Sequence, residues 1–159
     1  MSSSAVETAA VEREITIAAK PETVWGLLVD PAKATRWMGL EAWLDPRPGG
    51  LYRVRVTPTR TARGEFVEVD PPRRLVYTFG WEEPDALVSP GGSTVVLELV
   101  PEGDGTRVRL THRDLPSGAS DGHARGWEHY LTRLATVAAG GDPGPDPWAS
   151  EQAREERSA

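Results

Sequence analysis

The chain contains no cysteine. Disulfides and thiolate metal sites are thereby excluded, and a reducing compartment fits the composition. No apolar run approaches the roughly 18 residues that a membrane-spanning helix needs. The opening residues, Met1-Ser-Ser-Ser-Ala-Val-Glu7, lack the basic and apolar regions of a secretory signal. These absences predict a soluble cytoplasmic protein with no membrane span. Lysine is nearly missing, standing only at Lys20 and Lys33, so arginine supplies most of the positive charge. The net charge of −6 at pH 7 argues against a nucleic-acid partner. No internal repeat is present. A length of 159 residues suits one domain that folds without staples.

What the chain does have is an amphipathic segment near its end. Trp127, Tyr130, Leu131, Leu134 and Ala138 recur on one face of a helix predicted over 121–139. This helix follows a run of strand-like segments instead of alternating with them. It needs a sheet to lie on, and a curved sheet closing around one helix leaves a cavity between them.

Turn chemistry sets the boundaries. Residues 11–17 alternate as a strand. Pro21 suits a first helical position, with Glu22 favourable beside the helix N-terminus. Trp25, Leu28 and Val29 share a face of that helix. Asp30 before Pro31 is placed to cap a second short helix, which leads to Trp37. Strands are predicted at about 40–45, 51–57, 61–69, 74–81, 93–100 and 106–113, separated by Gly, Pro and Asp clusters. Gly64 inside a strand pattern points to a bulge or bend. The Pro/Gly-rich stretch 82–92 is expected to be the most mobile connection. Residues 1–10 read as a flexible N-terminus, 11–139 as the domain, and 140–159 as a disordered acidic tail in which Trp148 is out of place. Two readings of Trp148 stand: a stray residue, or a residue that docks on a pocket mouth or on a second subunit of a homodimer. The resulting order is β-α-α-β6-α, an α+β fold.

Strand alternation assigns the faces. Tyr52, Val54 and Val56 fall opposite Arg53 and Arg55. Tyr77, Phe79 and Trp81 fall together, as do Val95, Leu97 and Leu99, and Val108, Leu110 and His112. One face is apolar and aromatic, the other charged, as in an antiparallel sheet with one solvated side. Glu65, Glu68 and Glu98 belong to the solvated side unless a bulge shifts the register.

Several motifs occur in a familiar order: Pro21-Glu-Thr-Val-Trp25, Asp30-Pro31, Trp37, Asp45-Pro-Arg-Pro-Gly-Gly50, Gly64 with Val69-Asp-Pro-Pro-Arg-Arg-Leu75, Gly105-Thr106, His112 and Gly126-Trp127. Together they resemble the START-like (SRPBCC) helix-grip superfamily. More narrowly, they resemble the bacterial group related to the C-terminal domain of the Hsp90 ATPase activator (AHSA1-like), over about residues 11–138. The resemblance implies a curved antiparallel sheet wrapped around a long C-terminal helix. Relatives in that superfamily bind lipids, sterols, plant hormones or polyketides, and some catalyse cyclisation or dehydration. The eukaryotic activator also uses a separate N-terminal domain, for which 159 residues leave no room. An Hsp90-type chaperone partner is therefore not expected.

The candidate ligand-binding residues are Trp37, Trp43, Tyr52, Phe66, Tyr77, Phe79, Trp81, Leu97, Leu110, His112, Trp127, Tyr130 and Leu131. Aromatic walls suit flat or hydrophobic molecules, oriented by a few polar groups. His112 and Tyr130 are the candidate proton-moving groups, and the favoured reading of His112 is a hydrogen-bonded structural histidine near the strand end. His123 and His129 do not share a helix face, no metal-ligand spacing is present, and no cofactor is expected. Gly126, costly inside a helix, is expected to let the helix approach the sheet closely. Three functions stay open: binding of a small hydrophobic or aromatic molecule, a cyclase or dehydratase using the same cavity, and a protein-interaction or stress-response module.

Overall fold

A computed structural model describes residues 8–149. Seven strands form one antiparallel curved open sheet in the order β1-β7-β6-β5-β4-β3-β2. They are β1 (Thr8–Ile17), β2 (Glu41–Leu44), β3 (Leu51–Thr57), β4 (Arg60–Asp70), β5 (Arg74–Trp81), β6 (Ser93–Glu102) and β7 (Gly105–Pro116). Helices α1 (Pro21–Val29) and α2 (Pro31–Ala34) lie between β1 and β2 in the chain, and α3 (Ser120–Ala138) follows β7. This is the helix-grip arrangement.

Local chemistry explains the elements. Pro21 opens α1, and Asp30 caps α2 by accepting from the Ala32 backbone N–H at 3.0 Å. The buried face of α1 is Val24, Leu27 and Leu28, while Trp25 and Val29 are only partly covered. The buried face is thus rotated from the expected 25/28/29 set, with Leu28 common to both. The apolar stripe of α3 is buried throughout, and Val137 joins it.

The sheet registers follow the alternation. Tyr52, Val54, Tyr77, Phe79, Val95, Leu97, Val108, Leu110 and His112 face α3 and are buried. The outer face is mainly charged or threonine, and Val76 and Val96, which pair across strands there, are also buried. The expected irregularity in β4 lies between Phe66 and Glu68, not at Gly64. Phe66 keeps the inward phase of Ala62 and Gly64, Val67 is exposed at the irregularity, and Val69 packs against the core beyond it. Gly64 serves a close approach instead, since a Cβ there would stand 1.8 Å from the Thr78 carbonyl oxygen.

Both chain ends extend the domain. β1 begins at Thr8, whose backbone pairs opposite Pro116, so residues 8–10 are strand where a frayed end was expected. Residues 140–149 lie against α3 because Asp146 finds partners on that helix. Residues 1–7 and 150–159, the rest of the expected flexible ends, lie outside the described residues. The 82–92 connection is tied down at several points. Glu82 pairs with Arg53 and Arg63, Glu83 accepts the Thr61 backbone N–H, Asp85 pairs with Arg60, and Val88 is buried. Its acids match arginines on the neighbouring strands, which composition alone does not disclose.

Candidate functional site

A cavity of about 460 Å³ opens between α3, β3, β5 and the 82–92 connection. Its existence follows from what stands on α3. Ala119, Gly122, His123, Gly126, Trp127 and Tyr130 share the face that borders it. A Cβ built at Gly122 or Gly126 meets no atom within 4 Å. The expected close approach at Gly126 is therefore absent, and the glycines leave space in place of filling it. Opposite them stand Val56 and Thr57 of β3, and Phe79 and Trp81 of β5. Met38, Arg60 and residues 85–88 complete that side, with Trp148 on the C-terminal segment. Gly80 lets the 82–92 connection fold over β5, since a Cβ there would stand 1.7 Å from the Ser89 carbonyl oxygen.

The polar groups around the cavity are paired among themselves. Arg60 donates to both oxygens of Asp85 at 3.2 Å. The Trp81 indole N–H donates to His123 Nε2 at 3.1 Å, which makes Nε2 an acceptor. His123 Nδ1 then carries the proton and donates to the Ala119 carbonyl at 2.8 Å. Burial lowers the His123 pKa and favours this neutral form.

Directly behind this wall lies His112, fully buried. Its Nδ1 accepts from the Trp127 indole N–H at 2.9 Å. Its Nε2–H donates to Ser93 Oγ at 2.8 Å, and Ser93 donates to the Phe79 carbonyl at 2.7 Å. Burial, with a smaller contribution from His123, pushes the His112 pKa down to about 3. The imidazole is neutral and both of its nitrogens are taken.

At the other end of the α3 face, Tyr130 donates to Asp146 Oδ2 at 2.6 Å. Burial, then the Asp146 carboxylate, raises the Tyr130 pKa. Asp146 Oδ1 accepts from His129 Nε2 at 2.8 Å and from the Trp148 backbone N–H at 3.0 Å. The Trp148 ring stacks on His129 with centroids 4.1 Å apart and planes within 6°.

The candidate residues separate into groups. Phe79, Trp81, Trp127 and Tyr130 border the cavity together. His112 backs it without bordering it. Trp37, Tyr52, Tyr77 and Leu97 lie at the far end of the inner face, around a space of only about 10 Å³. Trp37 is held there by donating its indole N–H to the Leu27 carbonyl at 2.7 Å, so it is core and not an entrance wall. Tyr52 and Tyr77 stack with centroids 4.1 Å apart, and burial raises the Tyr52 pKa to about 12. Phe66, Leu110 and Leu131 are packed core residues. Trp43 lies outside altogether: Ala42 and Leu44 are the half-buried residues of β2, and Trp43 sits under the Arg53 guanidinium at 4.4 Å from its ring centroid. Sequence reasoning missed His123, Met38, Val88 and the glycines as cavity residues. The spacing of Gly118, Gly122 and Gly126 at i, i+4 and i+8 was the available signal.

Among the described residues, no group of His, Cys, Asp or Glu is arranged to hold a metal ion. No helix among them is long and apolar enough to cross a membrane.

The family model for Activator of Hsp90 ATPase homolog 1-like protein matches residues 18–139. The solution structure of an AHSA1-like protein from Rhizobium etli is similar at 52% identity and a TM-score of 0.71, covering 89% of each chain. CalU16 from Micromonospora echinospora is similar at 27% identity and a TM-score of 0.67, over 95% of this chain and 92% of that one. An Hsp90 activator from Plasmodium falciparum shares the fold at 22% identity and a TM-score of 0.68, over 80% of this chain and 94% of its own. No curated protein matches the chain.

Proposed function

The chain belongs to the Activator of Hsp90 ATPase homolog 1-like family, and we propose that it binds a neutral, flat, apolar molecule in the cavity beneath α3, in the cytoplasm. One observation carries this reading: a cavity of about 460 Å³ is bordered by helical glycines that no packing explains. Protein interiors are close-packed, and each glycine inside a helix costs about 1 kcal/mol relative to alanine. Gly126, inside α3, carries that cost next to open space, and Gly122 in the first turn carries part of it; alanine would fit at either. A requirement for volume accounts for the choice.

The cavity's chemistry supports an uncharged occupant. Arg60 and Asp85 neutralise one another, and the His123 nitrogens are both engaged. A charged ligand would lose hydration with no free partner in return. Rings of Phe79, Trp81, Trp127, Tyr130 and Trp148 offer flat surfaces. Affinity would come from burial at roughly 25 cal/mol per Å², less the costs of association. A proton-transfer role draws less support. His112 has no free nitrogen and a pKa near 3, and Tyr130 has a raised pKa, so neither is suited to exchange a proton near neutrality.

The test is a fluorescence titration with N-phenyl-1-naphthylamine, a neutral aromatic probe that brightens in apolar surroundings. A saturable rise at one probe per chain is expected. Folded protein that gives no rise would refute the reading.

A further inference from the structure

We infer that residues 140–149 are a strap that closes the cavity, with Trp148 as the wall that sets what the cavity admits and Asp146 as the latch. The inference rests on reading the cavity as a binding site. The strap lies beyond residues 18–139, which the family model matches.

Position comes first. Leu87 and Trp148 both border the cavity, yet they are 66% and 40% exposed. A side chain that borders a cavity and also meets solvent stands at its mouth. The mouth therefore lies between the 82–92 connection and the strap. The former is pinned by Arg53, Arg60 and Arg63 on the sheet. The strap is held differently.

Its attachments are few. Ala149 is its one buried side chain. The Asp146 carboxylate, 10% exposed, takes bonds from Tyr130, His129 and the Trp148 backbone. Arg133 adds a second tie by donating to the Gly144 carbonyl at 2.9 Å while also donating to that of Trp37. A segment held by a few hydrogen bonds, one part-exposed indole and one buried alanine opens at low cost compared with the core. Pro143, Pro145 and Pro147 restrict the chain and limit the entropy lost when it closes again.

Latch and wall are coupled. Asp146 binds Trp148 through its backbone, and it binds Tyr130 and His129, the residues against which Trp148 packs. Loss of the carboxylate contacts releases the Trp148 ring and the Tyr130 hydroxyl together. With the strap closed, the indole plane is set by its stack on His129, and a ligand too long for the cavity meets that ring.

The experiment uses the full chain, as wild type and as Asp146→Ala, Trp148→Ala and Trp148→Phe. Release of N-phenyl-1-naphthylamine is followed by stopped flow, and the Trp148 ring protons are followed by NMR. The Trp148 ring is informative because it stacks on His129 of α3 with centroids 4.1 Å apart, a contact that breaks when the strap lifts. Release is expected to quicken about tenfold or more in Asp146→Ala and Trp148→Ala, with Trp148→Phe returning most of the wild-type rate. In Asp146→Ala the Trp148 ring protons should lose the shift that the His129 stack imposes. Unchanged release in Asp146→Ala and Trp148→Ala would overturn it. If the wild type takes up no probe, the cavity reading fails, and the strap stands or falls on whether Asp146→Ala moves the Trp148 ring off its stack on His129.

Discussion

Trp127 on α3 donates its indole N–H to Nδ1 of His112 on β7 at 2.9 Å, which ties helix to sheet through a buried bond and fixes the histidine's tautomer. The same imidazole passes the chain of bonds to Ser93 and the Phe79 carbonyl, so the wall of the cavity is braced from behind.

Removing that donor while keeping an aromatic ring should be costly. Trp127→Phe leaves the buried Nδ1 lone pair without a partner, which costs about 1–3 kcal/mol. Urea unfolding should show the midpoint falling with little change in slope. An unchanged midpoint would mean that the bond contributes nothing net.

The same histidine predicts a pH dependence. Its folded pKa of about 3 lies below its ordinary 6.5, so the unfolded chain binds the proton first. Stability is therefore complete above pH 6.5 and declines as pH falls through the window toward 3. One such group contributes a slope of up to about 1.4 kcal/mol per pH unit. His123, also lowered by burial, acts in the same direction. Between pH 6.5 and 5, before most carboxylates titrate, His112→Gln should show a shallower slope than wild type in urea midpoints. Parallel slopes would contradict this.

Trp37 separates core from cavity. It is 4% exposed and bonded to Leu27, away from the larger opening. Trp37→Ala should cost roughly 3–5 kcal/mol of stability. Affinity of the folded fraction for N-phenyl-1-naphthylamine should stay within about twofold, less than 0.5 kcal/mol. A large loss of affinity with little loss of stability would return Trp37 to the cavity wall.

The strands, the final helix and the inner face were legible because hydrophobic period and turn residues act locally. Alternation told which side of the sheet Tyr52, Tyr77, Phe79 and Trp81 occupy. It could not tell that Tyr52 and Tyr77 lie where Trp37 fills the space, while Phe79 and Trp81 lie where glycines leave it open. That difference runs along the helix and depends on what packs at each end. Trp43 misled because aromatics suggest interior, although the edge strand β2 turns Ala42 and Leu44 inward. Asp146 was hidden in a polar tail because its partners, Tyr130 and His129, belong to a different element.

Gly126 gives the most direct test of the central claim, that the glycine-bare face of α3 exists to hold volume for a ligand. Gly126→Ala should stabilise the fold by up to about 1 kcal/mol, since alanine favours the helix and its Cβ meets nothing. Gly126→Leu should remain folded but fill part of the cavity. The decisive measurement is N-phenyl-1-naphthylamine titration of Gly126→Leu beside wild type, with urea unfolding as the control for folding. The account predicts saturable binding in wild type and a loss of tenfold or more, about 1.4 kcal/mol, in the folded variant. Equal binding by both proteins would contradict it.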